Sequence, residues 1–159
     1  MSTQPYIGFR QLLDQDTWTF TYLLWDLDNR EGIIIDPVRE QFERDLCLVG
    51  ELGVRMVYAL DTHVHADHVT SLGMLREEMG LQTAVGEPSG VPCADIMLND
   101  GYTLGFGRHT LTALATPGHT DACTSFSERQ QIIPISLRPE SNILHGTGVC
   151  RSHFQNFAT

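Results

Sequence analysis

Three histidines and an aspartate lie close together in residues 62–68, which read Thr-His-Val-His-Ala-Asp-His. Imidazole nitrogens and carboxylate oxygens are ligands for zinc, iron, manganese and nickel ions. In an extended loop His63 and His65 project to the same side, and Val64 points away. Burying three imidazoles and a carboxylate without an ion would require a separate partner for each group. The spacing therefore predicts a metal-binding loop, rather than a solvated loop that holds these residues by chance.

A second informative stretch is residues 116–120, which read Thr-Pro-Gly-His-Thr. Pro117 and Gly118 predict a sharp turn directly after a strand, and this turn presents His119. A turn with one histidine carries no chemistry by itself. Downstream of a loop with four donors, His119 is expected to join His63 and His65 as the third imidazole at the metal. Cys123 follows, and it either reaches the same pocket or is buried as a small hydrophobic residue.

The elements that must position the first loop precede it in the chain. Alternating residues predict a strand at Thr17–Trp25 and its hairpin partner at Gly32–Ile35, which Asp36 and Pro37 terminate. Asp36 could contact the metal ligands without binding the metal itself, but a turn role is favoured. Helical spacing then predicts a helix at Glu40–Leu52. Its apolar face is expected to be core.

The predicted strand Val54–Leu60 leads into the histidine loop, and a helix from about His68 to Met79 follows it. Strand, loop and helix in this order commonly hold a site at the carboxyl edge of a sheet. The remaining predictions are a strand at Gln82–Val85, a loop at Glu87–Pro92, a turn at residues 99–101, and strands at Tyr102–Phe106 and Thr110–Ala115. His109 is expected to be an exposed residue at a strand end.

Composition restricts the class of protein. A length of 159 residues with 42% hydrophobic and 19% charged residues indicates one globular domain. The net charge of −10 disfavours nucleic acid and anionic membranes as partners. No apolar run is long enough to span a membrane, and no secretory signal is recognised, so a cytoplasmic location is expected. The four cysteines are expected to be reduced, with Cys47 and Cys93 buried as small hydrophobic residues.

With these motifs the chain resembles the metallo-β-lactamase superfamily, whose signature is an HxHxDH loop followed by a downstream histidine. It resembles more narrowly the persulfide dioxygenase branch of ETHE1-like sulfur dioxygenases. The similarity extends from about residue 7 to residue 126. It rests on residues 20–24 (FTYLL), 35–38 (IDPV), 62–70 (THVHADHVT) and 116–120 (TPGHT) with Cys123.

The resemblance implies an α/β fold of the αββα sandwich type, of which this chain would hold the N-terminal half and the start of the second half. A single domain over residues 1–159 is expected, with a divergent tail at 127–159. The resemblance further implies a mononuclear Fe(II) centre that oxidises glutathione persulfide with O₂ to sulfite and glutathione. His63 and His119 match the two iron-binding histidines. His65, Asp67 and His68 match the other superfamily ligand positions, which in this branch need not hold a metal.

The tail departs from the family pattern. Residues 148–155 weakly match a stretch of sequence that is typical of the family. In this match Arg151 corresponds to a family arginine that contacts glutathione. Asn142 then falls at the position of the third iron ligand, an aspartate in the family, and a neutral amide lacks the charge of that ligand. Asp67 lies nearby in sequence, and other possible replacements are Glu140, His145 and His153. Loss of the second half would also leave a sheet face uncovered, which favours homo-oligomers.

Three functions therefore stay open. The first is an iron-dependent persulfide dioxygenase with glutathione persulfide and O₂ as substrates. The second is a thioester hydrolase similar to glyoxalase II, in which Asp67 and His68 would help to bind a second metal. The third is a truncated, catalytically impaired relative that binds zinc through His63, His65 and His119.

Overall fold

The computed structural model describes residues 7–128 of the chain. Its larger sheet has six strands in the order of the sequence. The first three strands are antiparallel, and the pairs that follow are parallel. The strands are β1 (Ile7–Asp14), β2 (Thr19–Asp26), β3 (Glu31–Ile35), β4 (Arg55–Leu60), β5 (Gln82–Gly86) and β6 (Ile96–Leu98).

Two helices cover one face of this sheet, α1 (Phe42–Leu52) and α2 (Leu72–Met79). Their apolar residues form one buried cluster with the sheet, which includes Val49, Leu75 and Ile34. Each helix ends at a glycine in the left-handed conformation, Gly53 with φ 62° and Gly80 with φ 68°. Glycine adopts this conformation at little steric cost, so the sequence pattern correctly predicts where both helices end.

The other face of the large sheet packs against a smaller antiparallel sheet of three strands, β7 (Thr103–Phe106), β8 (His109–Ala115) and β9 (Thr124–Glu128). The core between the sheets includes Leu24, Ile33, Phe106, Leu111 and Phe126, all nearly inaccessible to solvent. Over residues 7–128 the layers are thus helix, sheet and sheet. The alternation of buried and half-buried residues along β8 and β9 follows from the two-residue period of a strand.

The loops after β3, β4 and β5 all leave the carboxyl ends of these strands. Since β3, β4 and β5 are parallel, these ends lie at the same edge of the sheet. Asp36 follows β3 directly, and the histidine loop follows β4. The strand, loop and helix predicted around this loop are therefore present.

Several predictions need correction. The helix after the histidine loop begins at Leu72 and not near His68, because residues 69–71 pair with the backbone of residues 37–39 instead. His109 is buried, not exposed, because it faces Glu128 across β8 and β9, with Nδ1 3.2 Å from Oε1. Strands β1, β6 and β9 were not predicted.

The cysteines also differ from expectation. Cys93 is exposed rather than buried, since it lies in the loop between β5 and β6. Cys47 is half-buried in α1 rather than fully buried. Cys93 and Cys123 are free thiols. Neither helix within residues 7–128 combines the length and the apolar character needed to cross a bilayer.

Candidate metal centre

The histidine loop is attached to the sheet by main-chain hydrogen bonds at both of its ends. At its start, the Asp61 N–H donates to the Ala84 carbonyl on β5 at 3.2 Å. At its end, the Arg39 N–H donates to Val69 at 2.9 Å, and the Ser71 N–H donates to Pro37 at 3.0 Å. The loop between these bonds is therefore fixed relative to the end of β3.

Four imidazole rings lie next to one another at this edge of the sheet. The ring centroids of His63 and His65 are 4.1 Å apart, and those of His65 and His68 are 4.2 Å apart. The His119 ring lies on the other side of His63, with the centroids 5.2 Å apart and the planes nearly perpendicular. The structure thus brings together all four histidines that the sequence singled out.

A backbone hydrogen bond explains why the distant His119 reaches the loop. The Thr124 N–H at the start of β9 donates to the Thr62 carbonyl at 2.8 Å, which joins the smaller sheet to the histidine loop. The turn that carries His119 is closed by the Thr116 N–H, which donates to Cys123 O at 2.9 Å. Cys123 Sγ accepts a further hydrogen bond from the Thr120 N–H at 3.2 Å.

Asp36 controls which ring nitrogens keep a free lone pair. His65 Nε2–H donates to Asp36 Oδ1 at 3.1 Å, which leaves Nδ1 of His65 as an acceptor. The Thr62 hydroxyl donates to Asp36 Oδ2 at 2.8 Å, so Thr62 Oγ1 in turn accepts from His63 Nδ1 at 2.9 Å. Nε2 of His63 is then also an acceptor. One buried carboxylate therefore prepares both imidazoles to bind a cation.

The remaining candidate metal ligands, Asp67 and His68, lie beside His65. His65 Nδ1 is 3.9 Å from Asp67 Oδ1, and His68 Nδ1 is 3.3 Å from the same oxygen. The His68 side chain is fully buried, and its Nε2 has no hydrogen-bond partner among residues 7–128. A buried imidazole nitrogen without a partner is costly unless it binds something else.

Two groups of donors in the described part of the chain are compact enough for a metal ion. His65, Asp67 and His68 form one group, and Asp36, Asp61 and His65 form the other, with ligand atoms within 4.8 Å of one another in each. Imidazoles with carboxylates suit zinc and non-haem iron. The residues present therefore fit a first-row transition metal, and the partnerless nitrogen of His68 is independent support.

The electrostatic surroundings favour the neutral, metal-binding form of two of the imidazoles, His63 and His68. Burial lowers the pKa of His63, and the neighbouring His65 lowers it further. Burial also lowers the pKa of His68. At His65 burial acts in the same direction, but the hydrogen bond to Asp36 and the negative charges of Asp36, Asp61 and Asp67 together outweigh it, so the pKa is raised. Burial, together with the charge of Asp36, raises the pKa of Asp61 to about 7.

Three of the four rings line a cleft of about 710 Å³. His63, His65 and His119 line the cleft together with Cys123, which is half-buried there. Aromatic residues of β2 and of the turn before it also line the cleft and form an aromatic wall, Trp18, Phe20 and Tyr22. The sequence did not predict this wall as part of the site. The alternation of residues 18, 20 and 22 predicted only a strand.

The other predicted site residues, Asn142 and Arg151, lie outside the described residues, as do Glu140, His145 and His153. Asp61 was not predicted as a site residue, and Asp36 was predicted mainly as a turn residue. A single carboxylate at the end of a strand resembles an ordinary turn residue, and only its contacts with Thr62 and His65 reveal more.

Comparison with known proteins places these features in a family. No protein-family model matches the chain. The human protein named "Persulfide dioxygenase ETHE1, mitochondrial" is 46% identical over 121 residues, which are 76% of this chain and 47% of that protein. The crystal structure of ETHE1 from Myxococcus xanthus is 41% identical with a TM-score of 0.73, covering 76% of this chain and 53% of that one.

More distant relatives have other names. A hydroxyacylglutathione hydrolase from Rhizobium johnstonii is 36% identical over 70 residues, 43% of this chain and 27% of that protein. Metallo-β-lactamases also share the fold, for example one from Staphylococcus aureus with a TM-score of 0.70 and 25% identity, over 77% of this chain and 37% of that one. The chain spans about half the length of the curated persulfide dioxygenases it matches. With its layered sheets and histidine cluster, it belongs to the metallo-β-lactamase superfamily, in the branch of the ETHE1-like persulfide dioxygenases.

Proposed function

We propose that this chain is an iron-dependent persulfide dioxygenase that oxidises glutathione persulfide to sulfite with O₂. The observation that supports this function is that His63, His65 and His119 converge on one cleft. Relatives in the same branch are named persulfide dioxygenases. In this proposal His63, His65, His119, Asp67 and His68 are the metal-binding residues. Fe(II) is the expected ion, and zinc is the alternative. The cytoplasmic location and a homo-oligomeric state stay predictions.

The reaction joins glutathione persulfide, O₂ and water, and it gives glutathione, sulfite and two protons. The outer sulfur is oxidised, O₂ is reduced, and the bond between the two sulfur atoms breaks. Fe(II), when bound, supplies the one-electron chemistry by which O₂ reacts with a sulfur compound. The protein supplies the binding and the orientation.

The residues of the cleft have separate tasks in this reaction. Asp36 and Thr62 hold the rings of His63 and His65 in fixed orientations. Phe20 and Tyr22 give the cleft an apolar surface against which the substrate can pack. The Cys123 thiol helps to hold the turn that carries His119, since it accepts the Thr120 N–H.

An oxygen electrode tests the proposal. Iron-loaded protein is expected to consume O₂ when glutathione persulfide is added and to release sulfite, whereas His63→Ala should bind less iron and consume less O₂. His109→Gln is the matched control, because this histidine pairs with Glu128 away from the cleft and should not alter the iron content. A soluble protein that carries iron and consumes no O₂ would contradict the function and favour an impaired relative.

A second candidate is a thioester hydrolase similar to glyoxalase II. The observation in its favour is the compact group of His65, Asp67 and His68, together with the relatives named hydroxyacylglutathione hydrolase. Such an enzyme uses two metal ions to generate hydroxide, which attacks the thioester carbonyl. Elemental analysis and thiol release from S-lactoylglutathione distinguish it. Two metal ions per chain with thiol release support the hydrolase, and one ion without thiol release excludes it.

A further inference from the structure

Trp18 is the most exposed of the large apolar side chains in residues 7–128, with 72% of its surface accessible to solvent. It lies in the four-residue turn between β1 and β2, and it lines the same cleft as His63 and His119. The only other tryptophan of the chain, Trp25, is buried, with 3% accessible surface. The fold therefore uses one tryptophan as core and places the other at the opening of the cleft.

The backbone of Trp18 adopts a conformation that bulky residues avoid. Its φ angle is 58°, in the left-handed region where glycine or asparagine is accommodated at lower cost. Packing does not compensate for this strain, because most of the side chain is in solvent. A small residue at position 18 would suit the turn better. The tryptophan is thus not explained by the stability of the fold.

Buried hydrogen bonds fix the turn in place. The carboxylate of Asp14, which is 2% accessible, accepts the Thr17 N–H at 3.1 Å and the Gln41 amide at 2.8 Å. On the other side of Trp18, Thr19 Oγ1 lies 3.3 Å from Nδ1 of His68. The turn that carries Trp18 is therefore in direct contact with the histidine loop, and its position relative to the cleft is defined.

Trp18 continues an aromatic wall that starts next to the histidines. Tyr22 is buried, and it pairs with Ile35, the residue before Asp36, so Tyr22 lies at the inner end of the wall. Phe20 is half-buried, with its ring centroid 6.4 Å from that of Tyr22. Exposure thus increases from Tyr22 through Phe20 to Trp18. The wall leads from the histidines to solvent.

We propose that Trp18 is a specificity-determining residue that contacts the carrier part of a thiol persulfide while the persulfide sulfur lies at the histidines. This inference rests on the proposed function and names a residue that recognises its substrate. A peptide-sized thiol such as glutathione is long enough to contact both ends of the wall. A small persulfide fills only the inner end. Flat peptide groups pack well against an indole ring, which offers a large rigid surface.

Calorimetric titration of the full chain with reduced glutathione tests this contact without turnover. Trp18→Gly should weaken binding roughly 3- to 10-fold, as expected for loss of one aromatic contact, and Trp18→Phe should retain most of the affinity. Arg30→Gly is the matched control, because Arg30 also has a positive φ, 62°, and lies outside the cleft. In wild-type protein glutathione should change the tryptophan fluorescence. In Trp18→Gly, where only Trp25 remains, it should not.

Thermal unfolding separates recognition from structural support. Because glycine relieves the strained backbone, Trp18→Gly should keep or raise the melting temperature while glutathione binding weakens. If the wild-type protein oxidises persulfides, the same variant should raise KM for glutathione persulfide with little change in kcat, and a persulfide of a small thiol should be unaffected.

Absence of glutathione binding to wild-type protein, or equal affinity of wild type and Trp18→Gly, would overturn the inference. So would a lower melting temperature that accounts for the weaker binding of the variant. None of these results depends on oxidation. Conversely, glutathione binding that depends on Trp18, in a protein that takes up no O₂, would support the recognition role of Trp18. It would reject only the dioxygenase function.

Discussion

At the scale of single residues, Asp36 determines the hydrogen-bonding state of two imidazoles. It accepts the His65 ring N–H directly, and it orients His63 through the Thr62 hydroxyl. Its backbone φ of 52° lies in the left-handed region, which is unusual for a residue other than glycine. The turn role that the sequence favoured and the supporting role at the site therefore occur in the same residue.

Replacing this carboxylate should affect both the site and the fold. In Asp36→Ala we expect affinity for zinc to fall about 10- to 100-fold, because both rings lose the group that orients them. The free energy of unfolding should fall by roughly 3 kcal/mol, because a buried hydrogen-bonded charge is removed from its partners. Competition titration with a metal indicator and urea unfolding measure the two effects. Glu78→Ala, which removes an exposed carboxylate from α2, should change neither.

Residue types and spacing correctly predicted that these histidines come together, but not which residues support them. His63, His65, His68 and His119 are conspicuous because imidazoles are rare and these four occur in turns. Asp36 and Trp18 have no such local signal, since their importance depends on contacts with residues far away in the sequence. His109 was misjudged for the same reason, because its partner Glu128 lies on the neighbouring strand.

At the scale of elements, α1 contains a buried carboxyl group in its first turn. The Asp45 side chain is inaccessible to solvent, and its Oδ1 accepts the Arg44 Nε–H at 2.9 Å. Its Oδ2 has no hydrogen-bond partner among the described residues. Burial raises the pKa of Asp45 from 3.8 to about 6, although Arg44 acts against this change.

This raised pKa predicts how α1 responds to pH. Between about pH 4 and 6 the folded chain retains a proton on Asp45 that the unfolded chain has lost, so this residue makes the fold less stable as pH rises. Relative to wild type, Asp45→Asn should therefore gain roughly 2–3 kcal/mol in free energy of unfolding between pH 4 and pH 7. Urea unfolding at both pH values measures the gain.

The exposed Asp16→Asn serves as the control for the loss of one charge. Its free energy of unfolding should follow that of wild type at both pH values. Parallel pH profiles of wild type and Asp45→Asn would show that Asp45 does not titrate in this range.

Most elements were predictable because periodicity and turn residues act locally. The helix α1, the strands β2 to β5 and the pair β7 and β8 match the expected positions within a few residues. Strand β1 was missed because its core-facing residues include Gly8, whose missing side chain leaves room for Trp25. The start of α2 was placed too early because the backbone bonds of residues 69–71 with residues 37–39 have no sequence signal.

At the scale of the whole molecule, the site lies where the two sheets meet. β9 and the histidine loop are connected by the Thr124 to Thr62 hydrogen bond, and His119 faces His63 across the same boundary. The sandwich was predicted from the family resemblance, not from periodicity, since alternating strands do not reveal which sheet they join. An ion bound by residues of both sheets would also resist their separation.

Metal binding should therefore stabilise the whole chain. A ligand that binds only the folded state at 100 times its Kd adds about 2.7 kcal/mol. For a domain of this size we expect the melting temperature to rise by roughly 8 °C with excess zinc, and a chelator should reverse the rise. His119→Ala should reduce the effect, because it removes the imidazole supplied by the smaller sheet. Equal shifts in wild type and variant would mean that His119 does not bind the ion.

The main-chain bonds at both ends of the histidine loop have an evolutionary consequence. They join Asp61 to β5, and residues 69 and 71 to residues 37–39, through peptide groups that every amino acid possesses apart from the missing N–H of proline. Mutations between these fixed points can exchange one ligand for another without releasing the loop. Such a scaffold lets new chemistry arise by a few substitutions, which agrees with the presence of hydrolases and oxygenases among its relatives.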